Sequence, residues 1–187
     1  MELPAPTPLT RAMERRLIAK LSWRILPLIF LSYLVAVMDR ANISYASVQM
    51  NASLGFSAAV YGFGAGVFFV GYSLFEIPSN MMLARFGARR WIARIMLTWG
   101  VVSGLMAFVQ TPTQFYVMRF LLGVAEAGFY PGVLLYLSQW FPATMLARSV
   151  SRFYIANPIS FMMMGSLAGL LMSLDGTLGV AGWQWTL

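Results

Sequence analysis

Arg119 and Glu126 stand inside an apolar stretch, Gln114–Trp140 (QFYVMRFLLGVAEAGFYPGVLLYLSQW), where charges are expensive. A helix needs roughly 20 apolar residues to cross about 30 Å of hydrocarbon, so neither charge is an end anchor. Each would cost on the order of 2.5–3.5 kcal/mol at the bilayer centre unless it faced protein or water. They are two helical turns apart and share a face with Gly123 and Tyr130. A second charged pair, Asp39-Arg40, interrupts another apolar run. Tyr72 and Glu76 lie one turn apart just before Pro78, which should bend its helix. Asn157-Pro158 sets an amide beside a helix break that frees a backbone carbonyl, with Ser160 close behind.

Two chemistries fit these residue types. The first is a static ion-pair network that fixes helix register, through Asp39–Arg119 or Asp39–Arg40 pairing. The second is a water-accessible cavity in which a carboxylate changes protonation while an arginine holds an anion. Acids and bases in spans are by default pathway residues, and the guanidinium fork matches a carboxylate bidentately. Tyr72 has a plainer reading as core, and Asn157-Pro158 as a kink satisfied by neighbouring helices. Glu76 lies toward a span end, where a capped or snorkelling carboxylate is ordinary.

Composition says what surrounds these residues. The 187-residue chain is 59% hydrophobic and 10% charged, against about 25% charged for a soluble domain, so the bilayer is its solvent. It has no Cys and no His, which removes disulfides, thiolate metal sites and the commonest general base. We therefore expect no enzyme, no cofactor and no metal. The net charge of +7 comes from arginines at segment ends, where topology explains them better than nucleic acid does.

Five spans are expected, at about 24–48, 58–83, 91–109, 114–140 and 147–174. Short connections force antiparallel neighbours. Residues 1–23 read as a cytoplasmic tail, disordered over its Pro-rich first ten residues, then a basic amphipathic surface helix capped by Thr10. Residues 175–187 read as an extracytoplasmic tail. Lys and Arg gather in the N-terminal segment, around 85–94 and at 148–152, which puts the N-terminus in the cytoplasm. Trp23, Trp91 and Trp140 would mark the cytoplasmic boundary, and Trp183 and Trp185 the outer one. The pairs Gly62/Gly66, Gly100/Gly104, Gly128/Gly132 and Gly165/Gly169 are expected to bring helices into close contact. Counting 1.5 Å per residue puts Asp39, Arg40 and Arg119 at one level, about 8 Å below the outer edge, with Glu126 roughly 10 Å deeper.

Four stretches carry a family resemblance: Met38–Tyr45 (MDRANISY), Gly71–Asn80 (GYSLFEIPSN), Arg85–Arg94 (RFGARRWIAR) and Arg119–Gly132 (RFLLGVAEAGFYPG). The chain resembles the anion:cation symporter branch of the major facilitator superfamily, in particular bacterial permeases for tartrate, phthalate, hydroxyphenylacetate and sugar acids. The resemblance implies an all-α integral membrane protein of the bacterial inner membrane, working by alternating access as a proton-coupled symporter of small organic carboxylates. It implies substrate binding by Arg40, Tyr72 and Asn157. Asp39 and Glu126 would be proton-coupling carboxylates, with Arg119 tying one of them into the relay. The sequence itself leaves H+ and Na+ open as coupling ions.

Three departures stand out. Val37 occupies a position that is often Tyr, and Ala84 one that is normally Asp in the loop between the second and third helices. Family members have twelve helices, whereas this chain would supply five of the first six, with the sixth helix and the C-terminal half missing. On that reading the chain is a fragment, inactive alone. The alternative is a structural or binding membrane protein, or a half-transporter that works only as a dimer.

Overall fold

The structure, a computed structural model, describes residues 11–187. The expected disorder of residues 1–10 and the Thr10 cap lie outside the described residues. Seven α-helices follow in order: α1 (Arg11–Leu54), α2 (Ala58–Phe86), α3 (Ala88–Met106), α4 (Pro112–Glu126), α5 (Phe129–Trp140), α6 (Ala143–Tyr154) and α7 (Ala156–Met172). Two short 3-10 turns, Thr177–Gly179 and Gly182–Thr186, close the chain. Among the described residues there is no strand.

Four helical stretches are long and apolar enough to cross a membrane: Arg16–Leu54, Ala58–Phe86, Pro112–Trp140 and Ala143–Met172. The third expected span corresponds to the 19-residue α3, which opens on Arg89, Arg90 and Arg94. Instead of a surface helix followed by a span, residues 11–54 form one helix of 44 residues. At 1.5 Å per residue it is about 66 Å long, so its basic first turns can project beyond a 30 Å core without a break.

Helix starts obey local chemistry. Ser57 caps α2 by accepting from the Val60 N–H at 3.2 Å. Thr111 and Gln114 form a reciprocal capping box on α4, with Pro112 in the first turn, where its missing N–H costs nothing. Pro27 and Pro78 lie inside α1 and α2 without ending them.

The stretch 114–140 is not the single helix its hydropathy predicts. It breaks at Ala127-Gly128, where Gly128 takes a left-handed φ of 82°. The break is stitched from outside: Ser79 Oγ donates to the Ala127 carbonyl at 2.7 Å, and Trp91 Nε1 donates to Ser79 Oγ at 3.0 Å. Irregular backbone at membrane depth survives only where protein supplies such partners.

The backbone-to-backbone helix contacts are made by other glycines than those expected. Gly123 packs on the Phe68 carbonyl of α2, and Gly71 on the Phe120 carbonyl of α4, so α2 and α4 meet backbone to backbone. Of the four expected pairs only Gly128/Gly132 is used at both positions, against Ser79 and Leu83. Gly62, Gly66, Gly100, Gly104 and Gly169 face open space, and Gly165 meets Tyr45. The motif reports small residues one turn apart, and the helix face they occupy is set by where the bulkier neighbours pack. α1 is tied to α7 by Ser160 Oγ, which donates within bonding distance of the Leu34 and Ala156 carbonyls. Trp183, expected at the outer membrane boundary, is instead buried in the core, because the terminal turn folds back and Gln184 Nε2 donates to the Ala107 carbonyl.

Candidate functional site

Arg40 and Glu126 form the salt bridge, Nε to Oε1 at 2.8 Å. The expected partners were Asp39 with Arg119 or Arg40, because the depth count put Glu126 two turns away. Side-chain direction explains the difference. Side chains lean toward the N-terminus of their own helix, and α1 and α4 were expected to run oppositely, so Arg40 and Glu126 lean toward each other and close the gap. Glu126 is 1% exposed and is the last residue of α4, beside the negative end of that helix's dipole. A cation there offsets both charges.

Arg40 also lies against aromatic rings. Its guanidinium carbon is 5.0 Å from the Tyr72 ring centroid and 5.8 Å from that of Phe68. The pair borders a cavity of about 360 Å³ with Tyr33, Ala36, Val37, Tyr72, Phe129, Tyr130, Tyr154 and Asn157 in its walls. Asn157 Nδ2 reaches the Tyr33 hydroxyl at 3.4 Å. Arg40, Tyr72, Asn157 and Glu126 are thus brought together from α1, α2, α7 and α4. Arg40 spends Nε on Glu126, which leaves the terminal guanidinium nitrogens as the donors a bound anion would meet. One oxygen of Glu126, Oε2, is buried without a hydrogen-bond partner.

Asp39 is not part of this cavity. It projects from another face of α1 toward α3, where Trp99 Nε1 donates to Oδ2 at 2.7 Å, Asn42 Nδ2 to Oδ1 at 3.3 Å, and Ser103 Oγ also to Oδ1. Its hydrogen-bond donors are all neutral, and Arg119 is close enough to act on it through charge alone. Consecutive helical residues diverge by about 100°, so an adjacent acid–base pair cannot serve one chamber equally. Arg119 is 4% exposed and outside the cavity wall, with its guanidinium 4.8 Å from the Phe68 centroid and its Nε unpartnered. Phe68 therefore lies beside both arginines, the partly exposed Arg40 and the buried Arg119. Glu76 does not border the cavity.

Sequence reasoning passed over Tyr33, Tyr154, Phe68, Trp99 and Ser103. Tyr33 was findable, since it precedes Arg40 by two helical turns. Trp99 and Ser103 share a face of α3 by the same rule, although nothing in sequence aims that face at Asp39.

An arginine paired with a buried glutamate on the wall of a small cavity in an apolar helical bundle invites comparison with known membrane proteins. The family model of the Major Facilitator Superfamily matches residues 29–187. The chain belongs to the Major Facilitator Superfamily. It is 56% identical over 176 residues to a "Putative tartrate transporter" of Agrobacterium vitis, covering 94% of this chain and 39% of that protein. It is 49% identical over 172 residues to the "Putative metabolite transport protein NicT" of Pseudomonas putida, covering 91% and 39%. A "Quinolone resistance transporter" of Acinetobacter baumannii is 48% identical over 172 residues, covering 92% and 40%. The chain spans about two fifths of the length of these curated relatives. This superfamily member is an all-α, apolar bundle, and its relatives are named as transporters, not enzymes.

Proposed function

We propose that this chain provides one wall of the substrate chamber of a proton-coupled transporter for small organic carboxylates, with the N-terminus in the cytoplasm of a bacterial inner membrane. Arg40 receives the carboxylate, and Tyr72 and Asn157 contact the rest of the substrate. Glu126 exchanges the coupling proton, and its hold on Arg40 links proton and anion occupancy. When an anion takes Arg40, Glu126 loses part of its counter-charge, and a proton replaces it. Asp39 and Arg119 act as proton-coupling residues through the helix packing, since neither borders the cavity. The observation that carries this reading is the Arg40–Glu126 ion pair at the wall of a 360 Å³ cavity.

The names of the relatives support small organic substrates, tartrate among them. Because the chain covers 39% of the Agrobacterium vitis protein, the rest of the chamber is expected to come from further chain, and these 187 residues alone are expected not to transport. The test is a chimera in which this chain replaces the matching segment of that relative, reconstituted in liposomes. Tartrate uptake driven by an inward proton gradient, lost on Arg40→Gln, is the expected result. Uptake indifferent to that substitution would overturn the anion site.

A further inference from the structure

A second cavity, of about 280 Å³, lies between α1, α3 and α5 and shares only Phe129 with the walls of the first. It is lined by apolar side chains, including Leu28, Ile92, Met96 and Val133, with Arg89 at one end. We propose that this cleft binds an anionic phospholipid, its phosphate on Arg89 and the upper part of one acyl chain between α1 and α3.

Three observations support that occupant. The cleft follows α3 from Arg89 to Met96, about 10 Å at 1.5 Å per residue, a run that suits the first methylenes of a chain lying along the helix. Leu28 and Ala93 on its rim are exposed, so the mouth opens on the outer surface of an apolar bundle. Arg89 begins a basic end of the molecule with Arg85, Arg90 and Arg94. Among the described residues the only salt bridge is Arg40–Glu126, so no carboxylate neutralises that end. Inside the cleft the other polar groups are Ser32, whose hydroxyl is spent on the Leu28 carbonyl at 2.8 Å, and Tyr136. Arg89 is therefore the cation a phosphodiester meets. Basic pockets between spans at a membrane surface bind lipid head groups on this principle.

The inference is independent of the transport reading and is tested on the 187-residue chain itself. Delipidated protein in neutral detergent is titrated with phosphatidylglycerol and with phosphatidylcholine, and bound lipid is counted by native mass spectrometry. Phosphatidylglycerol should be retained about fivefold more strongly, the contribution of one well-placed cation. Arg89→Gln should abolish that preference while leaving weak binding of both lipids. Ala93→Phe, which fills the cleft, should reduce retention of both. Arg90→Gln, a neighbouring cation outside the cleft, should change the preference less than twofold. Equal retention of the two lipids by the unaltered chain would overturn the proposal. So would an Arg90→Gln loss matching that of Arg89→Gln, which would mean a diffuse basic surface.

Discussion

Arg40 has one nitrogen committed to Glu126 and its guanidinium carbon 5.0 Å from the Tyr72 ring centroid, so its position beside the cavity is fixed on two sides. Lysine would keep the charge and lose the fork. In the chimeric transporter Arg40→Lys is therefore expected to lower tartrate uptake about tenfold or more, the loss of one hydrogen bond to a charged group. Near-native uptake by the lysine variant would show that charge alone suffices. Glu126→Gln keeps the shape and can still accept from Arg40 Nε, but it carries no exchangeable proton at ordinary pH. Accumulation of tartrate against its gradient should disappear while exchange of internal for external tartrate continues. Persistent accumulation would remove Glu126 from the coupling role. Asp39 is held mainly by donors on α3. Trp99→Phe strips one of them from a buried oxygen and should destabilise the solubilised chain by about 1–3 kcal/mol, read from its thermal unfolding midpoint. An unchanged midpoint would mean that water or another group meets the Asp39 oxygen.

At the scale of elements, the break at Ala127-Gly128 ends α4 on Glu126. Without it the carboxylate would lie mid-helix and the Ala127 carbonyl would be bonded within the helix, leaving Ser79 nothing to hold. The α2–α4 contact is equally specific. A methyl group on Gly123 would run into the Phe68 carbonyl, which is backbone and cannot swing aside, whereas one on Gly62 meets open space. Gly123→Ala should cost about 1–3 kcal/mol of stability, and Gly62→Ala should be neutral or slightly favourable. Equal effects in unfolding experiments would argue against the backbone-to-backbone approach of α2 and α4.

For the molecule as a whole, the proposed orientation puts the basic turn between α2 and α3 on the cytoplasmic side and the start of α2 on the other. The chain contains no cysteine, so single substitutions report without background. In intact cells Ala58→Cys should react with a membrane-impermeant maleimide and Arg90→Cys should react only after permeabilisation. The reverse pattern would invert the topology and with it the direction of coupled transport.

Much of this was legible in the linear pattern. The all-α membrane class and the superfamily follow from apolar run lengths and from the four motif stretches. Charges too costly to leave in lipid, with the resemblance those motifs carry, single out Arg40, Tyr72, Glu126 and Asn157, which the structure gathers at one cavity. These are properties of a residue and its near neighbours, and a helix transmits them through its period. Which charge pairs with which was decided only by tertiary structure. Two residues level along the membrane normal can face different helices, as Asp39 and Arg40 do, and two at different levels can meet because antiparallel side chains lean together. The break after Glu126 depended in the same way on Ser79, 48 positions away, arriving with a hydroxyl for the Ala127 carbonyl. No periodicity encodes that arrival, because it depends on how the helices pack.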